Sequence, residues 1–359
     1  FLIPTGSAAQ QAADKCSIAA EYFGIAGQEQ QVVITPKATN YWQKRYWSND
    51  ILGADVPVDM LLRKSGLSYH QLLELLQCPF INSQSPESIV TCPIDDCDLS
   101  NQTVDNLSLD RLDRLNRFLR LWYHTGMELW ELDLLVSHPA VGNGVLDDQC
   151  LIKLKQFDAL RNALDLESEE LAAFFGPINT LPRPAATNAG EYEKCLFERL
   201  FLSGSMDADL YDDFLQLMTT PSSGSDVAPY LDHVAASLSS EREVLTMLLP
   251  LTDGYFTVDT LSVFFRYVRL ADTLKWKVTE LLLYCELAGI ADPFDDFTTV
   301  ERVLREKDLL RNGDATLLQL EYLLTHAPES SAGWRQEVYA QRLQGLREAL
   351  AWLQDQIIT

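Results

Sequence analysis

The stretch Leu109–Asp133, LDRLDRLNRFLRLWYHTGMELWELD, decides the fold class of this chain. Leu112, Leu115 and Leu119 recur at the spacing of one helix face, which is typical of an amphipathic α-helix. Gly126 suits the left-handed turn that follows a helix, and a second apolar run begins directly after it. The stretch therefore predicts a helix, a tight turn and a second helix.

Arginines recur at every third position of the first predicted helix. The series consists of Arg111, Arg114, Arg117 and Arg120. These side chains either pair with acids across a protein interface, or they contact solvent and the nearby Asp110 and Asp113. Solvation is the preferred interpretation, and the interface interpretation stays open.

The same helix-start pattern recurs elsewhere. Ser68 and Gln71 have the spacing of a capping box, and the segments 166–171 and 276–281 again place an acid near the start of an apolar run. Thr257 keeps the cap without the acid. Because the spacing of these units is unequal, a regular solenoid is disfavoured. We predict an all-α fold, an irregular lobed assembly of helical hairpins with little or no β-structure.

Strand and loop signals divide the chain. The best strand candidate is Gln31–Thr35, which reads equally well as an extended loop. Three polar segments rich in turn residues predict loops at Pro79–Asn106, 176–190 and 219–227. They suggest a helical lobe over residues 1–106 with a long loop at 79–106, a hairpin region with the arginine helix over 107–176, and a third lobe over 191–359.

Composition limits the classes of partner. The chain has 359 residues, 47% of them hydrophobic, and a formal net charge of −24. This charge repels nucleic acid and anionic lipid, so neither is an expected partner. No run of about 18 apolar residues occurs, so we expect no direct membrane insertion by this segment. Because the sequence begins with Phe1 and shows no signal-peptide pattern, it is interpreted as part of a longer protein.

No arrangement of residues points to catalysis, a cofactor or a metal. The five histidines are scattered singly, and adjacent acid pairs such as Asp147-Asp148 lie at helix starts, where acids complement the helix dipole. No phosphate-binding glycine loop or nucleophile motif occurs. Cys92 and Cys97 either bridge a loop, share a metal with further ligands, or are two free loop cysteines, and the last is preferred because no histidine or second cysteine pair lies nearby.

The stretch Leu112–Trp122, continued through Gly126 to Trp130-Glu131-Leu132-Asp133, resembles the LDRIHRFIRLWRKLGW pattern and WELD-like turn of insecticidal toxin-complex (Tc toxin) A subunits. Tyr123-His124-Thr125 stand where that pattern has RKL. Further similar segments are Leu61–Leu76, Cys97-Asp98-Leu99, Tyr192–Leu202 and Leu261–Phe294.

The resemblance implies a non-catalytic part of the α-helical shell around a translocation channel. Its structural or interface candidates are Arg114, Arg117, Arg120, Trp122, Gly126, Trp130, Glu131 and Asp133. It implies that the partners are other protomers and domains of the same subunit, as a pentamer, and B and C components that bind through other regions. It also implies release from a bacterium and action at a host cell surface or endosome, with a host surface receptor as a further partner.

Two rival functions stay open. A helical binding module would offer a groove to a host receptor or glycan, and exposed aromatic side chains would favour it. An enzyme such as a glycosidase would need two carboxylates about 5 to 10 Å apart in one cleft. Trp122 and Trp130, at helical positions on either side of Gly126, are predicted to lie in the core or at a subdomain seam.

Overall fold

The computed structural model describes residues 8–37, 56–82, 87–91, 98–184, 192–203, 206–220 and 222–312, with a few single positions beyond them. The chain divides into two compact units, residues 1–266 and 267–359. The three lobes suggested by the sequence stay a prediction. Among the described residues, no helix has the length and apolar composition needed to cross a bilayer.

Helices dominate the described residues, which confirms the predicted fold class. In the first half of the chain they are α1 (Ala8–Tyr22), α2 (Gly27–Ile34), α3 (Val58–Ser65), α4 (Tyr69–Gln77), α5 (Pro79–Asn82), α6 (Leu109–Thr125), α7 (Leu129–Ser137), α8 (Asp148–Leu164) and α9 (Ser168–Ala172). In the second half they are α10 (Leu196–Phe201), α11 (Ala208–Thr219), α12 (Leu231–Ser237), α13 (Arg242–Leu248), α14 (Val258–Leu274), α15 (Val278–Ala288) and α16 (Phe297–Asn312).

The strands are short and all pair antiparallel. They are β1 (Val56–Pro57), β2 (Ile89–Thr91), β3 (Thr103–Asp105), β4 (Arg183–Pro184), β5 (Tyr192–Glu193), β6 (Ser222–Asp226) and β7 (Tyr255–Thr257). A three-stranded sheet has the order β1-β3-β2, and β4-β5 and β6-β7 form two separate pairs. In the first sheet, Val104 lies opposite Val56 on one side and Val90 on the other.

The strand candidate at Gln31–Thr35 is wrong, because the described chain continues α2 through Ile34. Val33 is fully buried, and α2 packs against α6. A β-branched run therefore lies in a helix because tertiary burial of one face outweighs local propensity.

The segment Pro79–Asn106 is more ordered than a loop, since its described residues include α5, β2 and β3. The Asn82 side chain joins the end of α5 to Ser88: its amide donates to the Leu76 and Ser88 carbonyls at 2.8 and 2.9 Å, and its oxygen accepts from Ser88 N at 2.7 Å. Strand β4 begins in the second predicted loop and β6 lies in the third. Cys92 and Cys97 lie outside the described residues, so their pairing stays a prediction.

Helix starts follow the predicted capping chemistry. Ser68 Oγ accepts from Gln71 N at 3.2 Å and Gln71 Oε1 accepts from Ser68 N at 2.9 Å, so this capping box is confirmed. Thr257 Oγ1 accepts from Thr260 N at 3.0 Å, the predicted cap without an acid. Local sequence therefore fixes where these helices begin.

Among the described residues of the first unit, apolar clusters join neighbouring elements. One joins α3, α4 and the three-stranded sheet through Val56, Val58, Leu61, Leu72, Leu76, Val104, Leu107 and Leu112. Another is aromatic: Phe214 contacts Phe201 and Phe256 with ring centroids 5.7 and 4.9 Å apart, and Tyr230 stacks on Phe256 at 3.8 Å.

In the second unit, Tyr267 meets Phe294 edge-on at 5.1 Å. Tyr284 donates to Glu306 at 2.7 Å, and Arg302 pairs with the same carboxylate at 2.7 Å. The phenol and the carboxylate thus join α15 to α16.

Candidate functional site

Helix α6 carries the arginine series and has a defined start and end. Ser108 Oγ accepts from Arg111 N at 3.2 Å, which caps the start of the helix. The helix ends at Gly126, whose φ of +67° is the predicted left-handed turn. With both ends fixed, the orientation of each arginine follows from its position on the helix.

Arg117 forms a buried ion pair inside the chain. Its Nε lies 2.8 Å from Asp113 Oδ2, and both side chains are almost fully buried. Arg117 Nη1 also donates to the carbonyls of Leu146, at 2.7 Å, and Val33, at 3.4 Å. The guanidinium therefore joins α6 to α2 and to the turn before α8. The predicted contact with Asp113 is confirmed, whereas the expected contact with solvent is wrong because both side chains are buried.

Arg111 is also buried, and it holds the segment between α5 and α6. Its Nη1 donates to the Asn106 carbonyl at 2.7 Å and to Ser88 Oγ at 3.1 Å. Asn106 has a φ of +59°, a left-handed conformation that asparagine tolerates. The solvated interpretation is wrong for Arg111 as well.

Arg114 and Arg120 occupy more exposed positions. Arg114 pairs with Asp110 at 3.0 Å, donates to the Phe80 carbonyl at 3.2 Å and lies 5.8 Å from the centroid of the Phe80 ring. Arg120 Nη1 lies 3.1 Å from Glu29. The ring nitrogen Nε2 of His124 lies 3.2 Å from the same carboxylate. All of these contacts lie within the chain.

The turn between α6 and α7 is fixed by Trp122. Its indole Nε1 donates to the Met127 carbonyl at 2.8 Å, spanning Gly126. Trp122 is only half-buried and tilts against Tyr123, with ring centroids 4.9 Å apart. Trp130 is half-buried too, but its ring packs under Arg183, whose Cζ lies 4.8 Å from the centroid. Trp122 therefore contacts the turn after α6, whereas Trp130 contacts Arg183.

Glu131 ties α7 to α8 and α9. Its Oε2 accepts from Glu128 N at 2.9 Å, which closes the start of α7. Its Oε1 accepts from Ser168 Oγ at 3.0 Å and lies 3.9 Å from Arg161. Glu131 is a structural link between three helices.

A second buried carboxylate, Glu169, was not singled out from the sequence. Its side chain is fully buried, and Arg199 and Arg183 lie 2.8 and 3.5 Å from Oε2. Asn179 Nδ2 donates to Oε1 at 2.7 Å. Nothing in the sequence indicated that Glu169, one of several adjacent acids at the start of α9, would be buried. The arginines that pair with it are distant in the chain.

Asp133 lies differently from the other acids, at the wall of a cleft of roughly 600 Å³. We call this the acidic cleft, and its wall includes Glu74, Cys78, Trp130, Asp133, Ser137 and His138, facing the segment 177–183. Asp133 is only 7% exposed. Its Oδ1 accepts from Phe80 N at 3.0 Å, and no second donor contacts this carboxyl among the described residues.

Burial controls the titration of the groups in the acidic cleft. It raises the pKa of Asp133 to about 7, which the hydrogen bond from Phe80 opposes, and it raises the pKa of Glu74. Burial lowers the pKa of His138 to about 4, which the Ala172 backbone opposes. The pKa of the Cys78 thiol lies well above its usual value for the same reason, so Cys78 is not a thiolate nucleophile at neutral pH.

Two further features shape this wall. Ser137 Oγ is buried and has no hydrogen-bond partner among the described residues. Gly176 passes so close to His138 that an added Cβ would lie 2.6 Å from Nε2, so only glycine fits there without a shift. Groups of three or more acidic, histidine or cysteine side chains suited to a metal ion do not occur within the described part of the chain.

Comparisons with known proteins give limited matches. No family model matches the sequence, and no curated protein matches it. Among solved structures, the chain is similar to the cryo-EM structure of Morganella morganii TcdA4, with 17% identity and a TM-score of 0.44 over 68% of this chain. It is also similar to the cryo-EM structure of Yersinia pseudotuberculosis TcaA-TcaB, with 12% identity and a TM-score of 0.42 over 95% of this chain. The chain spans 11% and 16% of the lengths of those two chains.

Proposed function

We propose that this chain is a non-catalytic α-helical shell segment of a toxin-complex A subunit, which surrounds and supports the channel that carries a toxic enzyme into a host cell. In this proposal the segment contacts other domains of its own subunit and neighbouring protomers of a pentamer. The B and C components bind other regions, and the subunit acts at the host surface or endosome after release from the bacterium.

The observation that carries the proposal is the role of the motif residues on α6 and α7. The sequence stretch that resembles the family is the one that joins the first unit internally, with Arg117 contacting Asp113, Leu146 and Val33. Glu131 adds the link to α8 and α9. A motif used for internal support is expected of a scaffold.

The chemistry of the buried acids favours the same proposal over an enzyme. Asp113 and Glu169 are each held by arginines and by further hydrogen-bond donors inside the chain, which is the arrangement of a structural carboxylate. Asp133 has an altered pKa, but the thiol nearest to it along the wall is protonated. A perturbed carboxyl by itself is no catalytic constellation.

Electron microscopy of the longer subunit tests the proposal. The expected result is a ring of several copies in which this segment forms part of the wall around a central channel. A segment that projects from the particle with no contact to the channel-forming part would refute the shell role and favour the binding module for a receptor or glycan.

A further inference from the structure

The acidic cleft contains buried polar groups that the shell role does not use. Elsewhere in the first unit the buried carboxylates have cationic partners: Asp113 has Arg117, and Glu169 has Arg183 and Arg199. Asp133 has no ion-pair partner among the described residues, although it is equally buried. Buried carboxyls in proteins are ordinarily paired or neutralised by a shifted pKa, so an unpaired carboxyl at the wall of a cleft is open to a charged partner from outside.

The geometry leaves room for a partner from outside. Oδ1 of Asp133 is occupied by the Phe80 amide, which leaves Oδ2 for a further donor. A volume of roughly 600 Å³ lies within the range of about 300 to 1,000 Å³ that is usual for small-ligand sites.

The walls of the acidic cleft suit an aliphatic stem. Pro79, Leu134, Pro177 and Ile178 line it and offer carbon surface beside the two acids Glu74 and Asp133. A lysine side chain combines a four-carbon stem with a compact ammonium that donates three hydrogen bonds. This ligand would satisfy the apolar and the acidic parts of the wall together.

The cation at the rim does not repel such a ligand strongly. Arg183 lies against the Trp130 ring and pairs with Glu193 at 3.0 Å and Glu169 at 3.5 Å. Its charge is therefore matched by Glu193, with a further contribution from Glu169, which it shares with Arg199. The net charge of −24 also favours the approach of a basic polypeptide over an acidic one.

We infer that the acidic cleft binds a lysine side chain of a partner polypeptide, with the ammonium donating to Asp133 Oδ2 and the aliphatic stem lying between Leu134 and the proline walls. This inference goes beyond the shell role and does not depend on it. The contact is a specific anchor for a basic segment of another protein surface.

The test is a titration of the ¹⁵N-labelled chain with the peptide acetyl-Gly-Lys-Gly-amide, followed through the Phe80 backbone amide, which is bonded to Asp133. Saturable shifts are expected with this peptide and not with a matched peptide that carries norleucine or acetyl-lysine. Glucosamine serves as a saccharide probe with the same ammonium group. Tighter binding of glucosamine than of the lysine peptide would overturn the polypeptide assignment.

Two variants decide the site. Asp133→Asn keeps an acceptor for Phe80 but removes the charge, and it should weaken binding about tenfold or more, as expected for a charge-assisted hydrogen bond. The matched control is Asp209→Asn, an exposed acid on α11, which should leave binding unchanged.

A second cleft variant is used if circular dichroism shows that Asp133→Asn does not fold. Thr180→Trp narrows the cleft from its opposite wall and should abolish the chemical-shift changes. Equal binding by the parent chain and the folded cleft variant, or equal shifts with lysine and norleucine peptides, would overturn the inference.

Discussion

Helices α6 and α7 are neighbours in sequence, joined by one turn at Gly126, yet they bury acids in opposite ways. On α6, Asp113 is paired with Arg117 and each charge has further hydrogen bonds. On α7, Asp133 has one backbone donor, and burial raises its pKa to about 7. A saturated buried pair supports the fold, whereas an unsaturated buried acid is suited to exchange a proton or accept a ligand.

The largest expected effect comes from removing one member of the saturated pair. Arg117→Met leaves Asp113 buried and charged, and this should lower the free energy of unfolding by about 3 to 5 kcal/mol. Adding Asp113→Asn should recover part of the loss, because the stranded charge is gone while the amide oxygen still accepts from Lys37 N. Denaturant unfolding of both variants measures the difference.

A matched control exists for this substitution. Asp59 and Arg63 have the same four-residue spacing and a similar distance of 2.9 Å, but Arg63 is largely exposed. Arg63→Met should cost only about 0.5 kcal/mol or less. Equal costs at the two sites would show that burial of the Asp113–Arg117 pair is not what makes it important, and the contrast between α6 and α7 would lose its basis.

The turn that separates the two helices gives a smaller effect. Gly126 has a φ of +67° with no atom near the position of an added Cβ, so Gly126→Ala costs only conformational strain. We expect a loss of about 1 to 2 kcal/mol. Gly27→Ala is the control, because Gly27 begins α2 without a positive φ, and it should be neutral or slightly stabilising. A lower melting temperature for Gly27→Ala than for Gly126→Ala would contradict the assignment of the turn.

Loss of the indole hydrogen bond across the same turn should lower the free energy of unfolding by less than Gly126→Ala. Trp122→Phe keeps most of the ring but removes the donor to the Met127 carbonyl, and the expected loss is about 1 kcal/mol. Thermal unfolding measures it. Because Trp122 is half-buried and not part of the closed core, a loss as large as that of Arg117→Met would mean that the ring supports more than the turn.

A dependence of stability on pH distinguishes two groups in the acidic cleft. The folded-state pKa of Asp133, about 7, exceeds its ordinary 3.8, so its contribution to stability falls as pH rises from about 4 to 7. The folded-state pKa of His138, about 4, lies below its ordinary 6.5, so its contribution falls as pH drops from about 6.5 to 4.

The two contributions oppose each other in the same range, so single variants separate them. Asp133→Asn should make the chain lose stability more steeply on acidification, and His138→Asn should flatten that loss. Melting temperatures at several pH values between 4 and 8 give both slopes. Parallel pH profiles for the two variants would show that neither group is buried in the way described.

Local features of the fold were predictable from the sequence, because they depend on neighbouring residues. The helix–turn–helix around Gly126 and the capping box at Ser68 need only a few adjacent positions, and both are confirmed. The helical state of Gln31–Ile34 was not predictable in this way. It depends on burial of Val33 beside α6, far away in the chain.

The sequence did not predict the hydrogen-bond partners of the arginines, because most of these partners are distant in the chain. One local signal was nevertheless present. Residues three apart on a helix advance by about 300°, so a series of this spacing drifts by about 60° per step around the axis. Arg111 and Arg120 therefore lie on nearly opposite sides of α6, and four such arginines cannot all share one solvated face. The groups that accept hydrogen bonds from these arginines, such as the Leu146 carbonyl and the Glu29 carboxylate, cannot be recognised as partners from the sequence.

The bond from Arg117 to the Val33 carbonyl spans 84 residues of the chain. Lys37 N also donates to Asp113 Oδ1 at 3.0 Å, so the segment that follows α2 contacts the buried pair directly. Separation of the first two helices from α6 would admit water to both charges at once. Amide exchange in α2 and in the middle of α6 is therefore coupled, and the amino-terminal helices open with the arginine helix as one cooperative unit of native-state unfolding.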